Sequence, residues 1–308
     1  LYLFARQLIA AGAPPALVLD TTPRANRLRA LAHLPSFIAS RYFFKGIGLL
    51  AAVSRRVPVV RDVTSLAIEG AERAKAIRWR TDAGWQERGC DLVLLHQGVV
   101  PNIDLWSSAG CRAVWNDGQA CWHAEIDSWG QSSEAGILVA GDGAGIGGAE
   151  VAAIRGVLAG LQTAHLCGRI DAGSRDLQAR AAFQALARLL RGRDFIDAAF
   201  LAPRWSRIPE AETLVCRCEE ATMGDLVAAV RDGVGGPASL KTFSRCGMGP
   251  CQGRQCGLVV TEALAAALGR PPAEIGHFRS RPPVRPIPLG ALAAIPATDE
   301  EMGSVVRL

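Results

Sequence analysis

The residues of this 308-residue chain best able to do chemistry are five cysteines toward its carboxy-terminal end. Cys216 and Cys218 stand one residue apart; Cys251 follows after 32 residues, and Cys256 after four more. Cys246 lies five positions before Cys251, so five of the nine cysteines fall within 41 residues. An odd count clustered in this way fits a secreted disulfide framework poorly. It points instead to a metal or cluster site in a reducing, cytoplasmic setting. An iron–sulfur cluster needs four thiolates converging on a small volume. A C-x-C pair in a turn offers two sulfurs from one side. The loop CGMGPCQGRQC offers others, because its glycines permit positive φ and let backbone N–H groups approach the sulfides. Structural zinc uses the same ligand type, though more often from C-x-x-C pairs. Cys90, Cys111, Cys121 and Cys167 are scattered, and most read as small buried hydrophobes.

A second stretch with chemical content is GDGAGIGGAE at residues 141–150, preceded by an apolar run at 137–140. Read as a strand entering a glycine-rich turn and an alanine-rich helix over about 149–166, it presents a helix N-terminus suited to an anionic group. Upstream, DLVLLHQGVVPN at residues 91–102 joins a continuous apolar run, read as a strand buried on both faces, to Gly98, Pro101 and Asn102. No Ser/His/Asp set or carboxylate pair stands out, so the catalytic residues are unknown at this stage. His96 reads as a core residue of that strand, and His33, His123, His165 and His277 show no ligand spacing.

These segments need elements to position them. Helical periodicity covers residues 3–12 and, with a break or kink expected at Pro35, residues 28–50. Residues 16–20 read as an apolar strand ending in Asp20, and 57–65, 66–71 and 75–81 alternate as short strands. Thr222 and Asp225 have capping-box spacing and open a helix over Leu226, Val227 and Val230; a second helix is expected over about 257–267. Together these two helices would present the two cysteine-bearing loops. From residue 271 the chain becomes rich in proline and arginine, as in FRSRPPVRPIPLG, which implies an extended, packed tail.

Composition narrows the function. With 49% apolar residues, a net charge of +5 and no dense basic run, a globular protein without a nucleic-acid surface is expected. No apolar stretch reaches the roughly 20 residues that a bilayer span needs, so no transmembrane segment is expected. The chain opens at Leu1 in mid-pattern, with no positively charged leader or small-residue cleavage site. A signal peptide is therefore not expected, and further sequence upstream is.

GMGPCQGRQC at residues 247–256 resembles the end of the small helical [2Fe–2S] module of the bacterioferritin-associated-ferredoxin (BFD) type. The resemblance implies a [2Fe–2S] cluster on Cys216, Cys218, Cys251 and Cys256. Cys246 is then a near neighbour that replaces Cys251 in a shifted register. Residues 91–102 and 127–148 resemble flavoproteins with two dinucleotide-binding domains. In those, the Asp ending the strand hydrogen-bonds the ribityl–phosphate part of FAD. This implies FAD contacts at Gly98, Pro101, Gly141, Asp142 and Gly143.

Nearly the whole chain, tail included, is similar to the A or alpha subunits of opine oxidases, dye-linked (hydroxy)proline dehydrogenases and hydrogen cyanide synthase. The fold this implies is α/β: a partial two-dinucleotide-binding-domain flavoprotein followed by a small helical [2Fe–2S] domain. Its divisions are a nicotinamide-type nucleotide-binding domain lacking its first strand (1–88), the carboxy-terminal part of the FAD-binding domain (89–170), a helical connector (171–210), the BFD-like domain (211–270) and an extended tail (271–308). The implied role is an FAD- and [2Fe–2S]-dependent oxidoreductase subunit in a hetero-oligomer. It would pass electrons from an amine-, opine- or imino-acid-oxidising partner flavoprotein to an acceptor. The alternative is a self-contained NAD(P)H-dependent FAD reductase, with Asp20 placed either to bind the ribose of NAD(P) or to cap a turn. At its start the chain departs from the resemblance. The pyrophosphate-binding glycine turns that open a full member are not among residues 1–308.

Overall fold

Apolar residues at helical spacing build the first unit of the computed structural model, which describes residues 1–296. α1 (Tyr2–Ala10) turns Tyr2 and Ala5 inward, and β1 (Val18–Leu19) follows. The helical stretch after it is divided into α2 (Arg24–Ala30), a single 3-10 turn, α3 (Leu34–Ile38) and α4 (Arg41–Ser54). Pro35 is not the break. It sits in the first turn of α3, where its missing N–H leaves no bond unmade. The break falls at Ser40, whose extended backbone and side-chain oxygen, accepting from the Tyr42 N–H, cap α4. Val53 of α4 then closes against Tyr2, Ala5, Val18 and Val57. β2 (Val59–Val60) pairs in parallel with β1. β3 (Ser65–Glu69), β4 (Ala76–Thr81) and β5 (Gly84–Gly89) form an antiparallel meander. The polar sequence of β5, GWQERG, hides it from a hydrophobicity reading; it is held by its ladder to β4.

The next stretch departs most from expectation. Residues 91–100 form no strand, and Leu92, Leu94 and Leu95 are 72%, 53% and 65% exposed; His96 is exposed as well. Residues 137–140 hold only an isolated bridge between Leu138 and Gln131. A parallel strand buried on both faces needs neighbours on its edges and cover on its faces. Among the described residues β1–β2 is the only parallel pairing, so neither run has a ladder to join. The order here is local: α5 (Asp104–Ser108), the hairpin of β6 (Ala113–Asn116) and β7 (Cys121–Ala124), and α6 (Ala149–Leu166). Trp106, Cys111, Ala124, Val139 and Ala144 bury one another at its centre.

Two helices brace these parts together. α7 (Ala172–Leu190) lies along α6, with Arg175 over the Trp129 ring at 4.2 Å and Phe183 edge-on to that ring at 5.0 Å. α8 (Arg193–Phe200) reaches back to the first unit: Phe195 stacks on Phe37 at 4.0 Å, and Asn26 Nδ2 donates to the Leu201 carbonyl at 2.7 Å. α9 (Arg204–Arg207) then leads into the cysteine-bearing module.

That module comprises the hairpin β8 (Leu214–Cys216) and β9 (Ala221–Thr222), followed by α10 (Met223–Arg231), α11 (Pro237–Ser244), α12 (Gly257–Leu268), α13 (Pro272–Ile275) and α14 (Leu289–Ala293). The capping box at α10 is complete. Asp225 N–H donates to Thr222 Oγ1 at 3.2 Å, and Thr222 N–H to Asp225 Oδ2 at 2.8 Å. Leu226, Leu240, Val260 and Leu264 form the core, which also takes in Ile275 and Phe278 from beyond α12. Residues 276–288 have no regular structure, and 297–308 of the expected tail lie outside the described residues. No single described helix is long and apolar enough to cross a membrane; one bent pair, α2–α3 with α4, passes by length and composition alone.

Thr222→Ala removes both the acceptor at the start of α10 and the hydroxyl held by Asp225. Urea unfolding should show a loss of about 1 kcal/mol, most of it recovered in Thr222→Ser. An unchanged midpoint in Thr222→Ala would show that the box is decorative.

Candidate functional site

Two loops of the module carry the five cysteines. The first is the turn between β8 and β9. It places Cys216 inside at 1% exposure and leaves Cys218 on the surface. The second begins where α11 ends in a left-handed residue, Arg245, which turns the fully buried Cys246 inward, and it runs to Cys256 at the start of α12. Arg245 Nε donates to Glu219 Oε2 at 2.9 Å and so ties one loop to the other. Gly249 crosses so close to Cys218 that a Cβ there would collide with the cysteine side chain. Phe278 backs the second loop. Gly253, at φ +81°, leaves only 2.6 Å between the Phe278 ring and the place a Cβ would occupy.

The result is an inner group and an outer pair of sulfurs. The Sγ atoms of Cys216, Cys246 and Cys256 lie within 4.8 Å of one another, all buried. Cys218 and Cys251 are hydrogen-bonded beside them. Burial works against the Cys251 thiolate. The N–H groups of Gln255, Gly253 and Arg254, with the Cys218 thiol, nevertheless hold its pKa below the ordinary thiol value. The Cys246 thiol and burial push Cys256 up. Of the four cysteines expected as ligands, two thus sit in the inner group and two beside it. The third inner sulfur belongs to Cys246, whose place at the head of the same glycine loop was the sequence signal for it. Soft, buried thiols of this number fit an iron–sulfur cluster or zinc by donor chemistry.

The flavin-type turn is built separately. Gly141 (φ +76°), Asp142, Gly143 and Ala144 form a 3-10 turn ahead of α6. Arg155 of α6 donates through Nη1 to the Ala144 carbonyl at 2.7 Å and the Gly145 carbonyl at 2.5 Å, pinning the turn. The indole N–H of Trp106, beside Gly143, and that of Trp122 are buried without an acceptor among the described residues. These orphaned donors fit a group that brings acceptor oxygens, as FAD does. Behind the turn, Cys121 Sγ lies 3.3 Å from His123 Nε2. Burial, with Asp197 and Asp142, pushes the Cys121 thiol up to about 12. Burial and then Arg155 hold His123 below its usual value, against the pull of Asp197 and Asp142.

Residues 100–104 and the cysteine loop meet across a cleft of about 220 Å³, which Gly141, Asp142 and Gly143 do not line. Pro101, Asn102 and Asp104 line one side, Gly253 and Arg254 the other, with Trp122 between. Ser280 donates to Asp104 Oδ1 at 2.8 Å and closes the junction from the tail side. Pro101 is thus brought to the cleft, whereas Gly98 lies in the exposed run and does not line it. Asp20 is buried at the end of β1 and accepts from Tyr2 Oη at 2.7 Å and from Thr22 N–H at 2.9 Å.

Comparison with known proteins places this arrangement. The sarcosine oxidase A3 domain family matches residues 210–295, the module together with its tail. The opine oxidase A subunit of Agrobacterium tumefaciens is 43% identical over 99% of this chain, and that of Rhizobium meliloti likewise. The chain belongs to the family of opine oxidase A subunits. It spans 61% and 58% of the length of those two proteins. Hydrogen cyanide synthase subunit HcnB of Pseudomonas protegens is 32% identical over 73% of the chain and 47% of its own length. In fold, this relative of the opine oxidase A subunits is like the L-proline dehydrogenase from P. horikoshii. The TM-score is 0.65 at 19% identity, covering 94% of the chain and 52% of the dehydrogenase chain.

His123 gives the turn a pH dependence. A lowered folded pKa means the unfolded chain binds the extra proton first. Stability is therefore full above about pH 6.5 and falls as the pH drops toward the folded value. Urea midpoints measured from pH 7.5 to 5.5 should fall less in His123→Gln than in the wild type. Parallel curves would remove His123 from the account.

Proposed function

We propose that the chain is the cofactor-holding part of an FAD- and [2Fe–2S]-dependent oxidoreductase subunit. It passes electrons from an amine-, opine- or imino-acid-oxidising partner flavoprotein to an acceptor. The observation that carries this reading is the cleft itself, in which Pro101 and Asn102 of the flavin-type segment face Gly253 and Arg254 of the cysteine loop. When bound, FAD supplies two-electron acceptance and the cluster a one-electron relay.

The chain's own residues do the rest. Cys216, Cys218, Cys251 and Cys256 would ligate the cluster. The module core keeps water from Cys216 and Cys256, each 1% exposed. The N–H groups of Gly253, Arg254 and Gln255 face the Cys251 sulfur and stabilise its charge. Gly141, Asp142 and Gly143 would hold FAD on a turn that Arg155 pins through the Ala144 and Gly145 carbonyls. The self-contained reductase reading asks Asp20 to bind the adenosine ribose of NAD(P), but each of its oxygens already accepts from within the chain. An electron-transfer role fits the exposed side of the centre, where Cys218 reaches the surface.

Purified without oxygen, the chain should carry about two irons with acid-labile sulfide. The double variant Cys218→Ser/Cys256→Ser, which leaves three thiols, should lose both. Stoichiometric zinc without labile sulfide would replace the cluster by a structural metal. The partner is tested by turnover: the intact protein, given a dye acceptor and a panel of opines and imino acids, should be inactive alone and active with its co-purifying flavoprotein. Full activity of the protein without that partner would overturn the relay reading.

A further inference from the structure

We infer that Cys246 is a fifth thiol of the centre and a reserve ligand, placed to take over iron when Cys251 is lost. The inference rests on the cluster reading above and adds to it a residue outside the expected ligand set.

The geometry is specific. Sulfurs sharing one tetrahedral metal at about 2.3 Å stand about 3.8 Å apart. The Sγ of Cys246 lies within 4.8 Å of those of both Cys216 and Cys256, so an adjustment of about an ångström brings it to a metal they hold. Nor is it free to turn away. Cys246 is fully buried in the module core, directly after the left-handed Arg245 that ends α11. The Arg245 side chain is anchored on Glu219 of the opposite loop, and the Cys246 N–H donates to Ser244 Oγ at 3.3 Å.

Cys251 holds the ligand position in the intact chain through its loop: Gly249, two residues before it, packs directly on Cys218 and so brings Cys251 to the outer pair. Removing Cys251 therefore leaves four thiols, Cys216, Cys218, Cys246 and Cys256, which is the number a [2Fe–2S] cluster needs. Exchange of one thiolate for another leaves the electron count of the cluster unchanged; the incoming Cys246 thiol gives its proton to solvent.

The test compares wild type, Cys251→Ser, Cys246→Ser and the double variant, each assembled with iron and sulfide without oxygen. Bound iron, labile sulfide, absorption and the EPR spectrum of the reduced form are measured. Cys246→Ser should match the wild type. Cys251→Ser should keep most of its iron and sulfide with shifted EPR g values. The double variant should lose at least about tenfold. Two outcomes overturn the proposal: Cys251→Ser as empty as the double variant, or Cys246→Ser empty on its own. A wild-type chain with no labile sulfide speaks against the cluster itself, a separate failure.

Discussion

The carboxy-terminal module depends on holding sulfurs from two distant loops in contact. Cys216 and Cys246 are 30 residues apart in sequence, yet their sulfurs lie within 4.8 Å. Closing a loop of that length costs a few kcal/mol of chain entropy. Leu226, Leu240 and Leu264, each at 1% exposure or less, contribute roughly 1.5–3 kcal/mol apiece by burial. The three core helices can therefore fix the loops before any metal is present. A metal bound there, as proposed, would meet a site whose closure entropy has already been offset, so a single cap, ion pair or packed ring in the scaffold bears on the sulfurs.

The same economy governs the junction between this module and the flavin-type half. Its central contacts are polar. Buried Asp104 accepts from Ser280 and lies 3.9 Å from Arg254 Nε, while buried Glu262 of α12 pairs with Arg207 of α9. Buried charges add little net stability against apolar packing but cost several kcal/mol when left alone. Such a junction therefore tolerates one docking geometry and penalises others. The proposed relay of electrons would use that property, because a small slip of the module would move the cysteine loop away from Pro101 and Asn102 across the cleft.

Legibility in the sequence followed the range of the interactions concerned. The α10 capping box and the bounds of α6 and α12 are set by neighbours within a few residues, and local spacing revealed them. The kink assigned to Pro35 belonged to Ser40, because proline in a first helical turn is harmless and the serine cap is what starts α4. β5 escaped because its ladder, not its apolar content, makes it a strand. In the site, the C-x-C pair and the glycine loop were visible from spacing. The inward turn of Cys246 was not, since it depends on the left-handed Arg245 and its bond to Glu219 across the module. Nor does any spacing rule report that Asp20 is already engaged by Tyr2, 18 residues away.

The exposed run at residues 91–100 belongs to the same logic at longer range. Leu92, Leu94, Leu95, Val99 and Val100 are each more than half exposed. Full burial of such side chains is worth roughly 1.5–3 kcal/mol each, so the run forgoes on the order of 10 kcal/mol. No contact among the described residues compensates for this. Alternation or charge would have allowed the segment to face water; its unbroken apolar character does not. The pattern asks for strands on both edges and cover on both faces. The chain spans about three-fifths of the opine oxidase A subunits it matches. The run lies directly upstream of Pro101, Asn102 and Asp104, so strands that covered it would also fix one wall of the cleft that faces the cysteine loop.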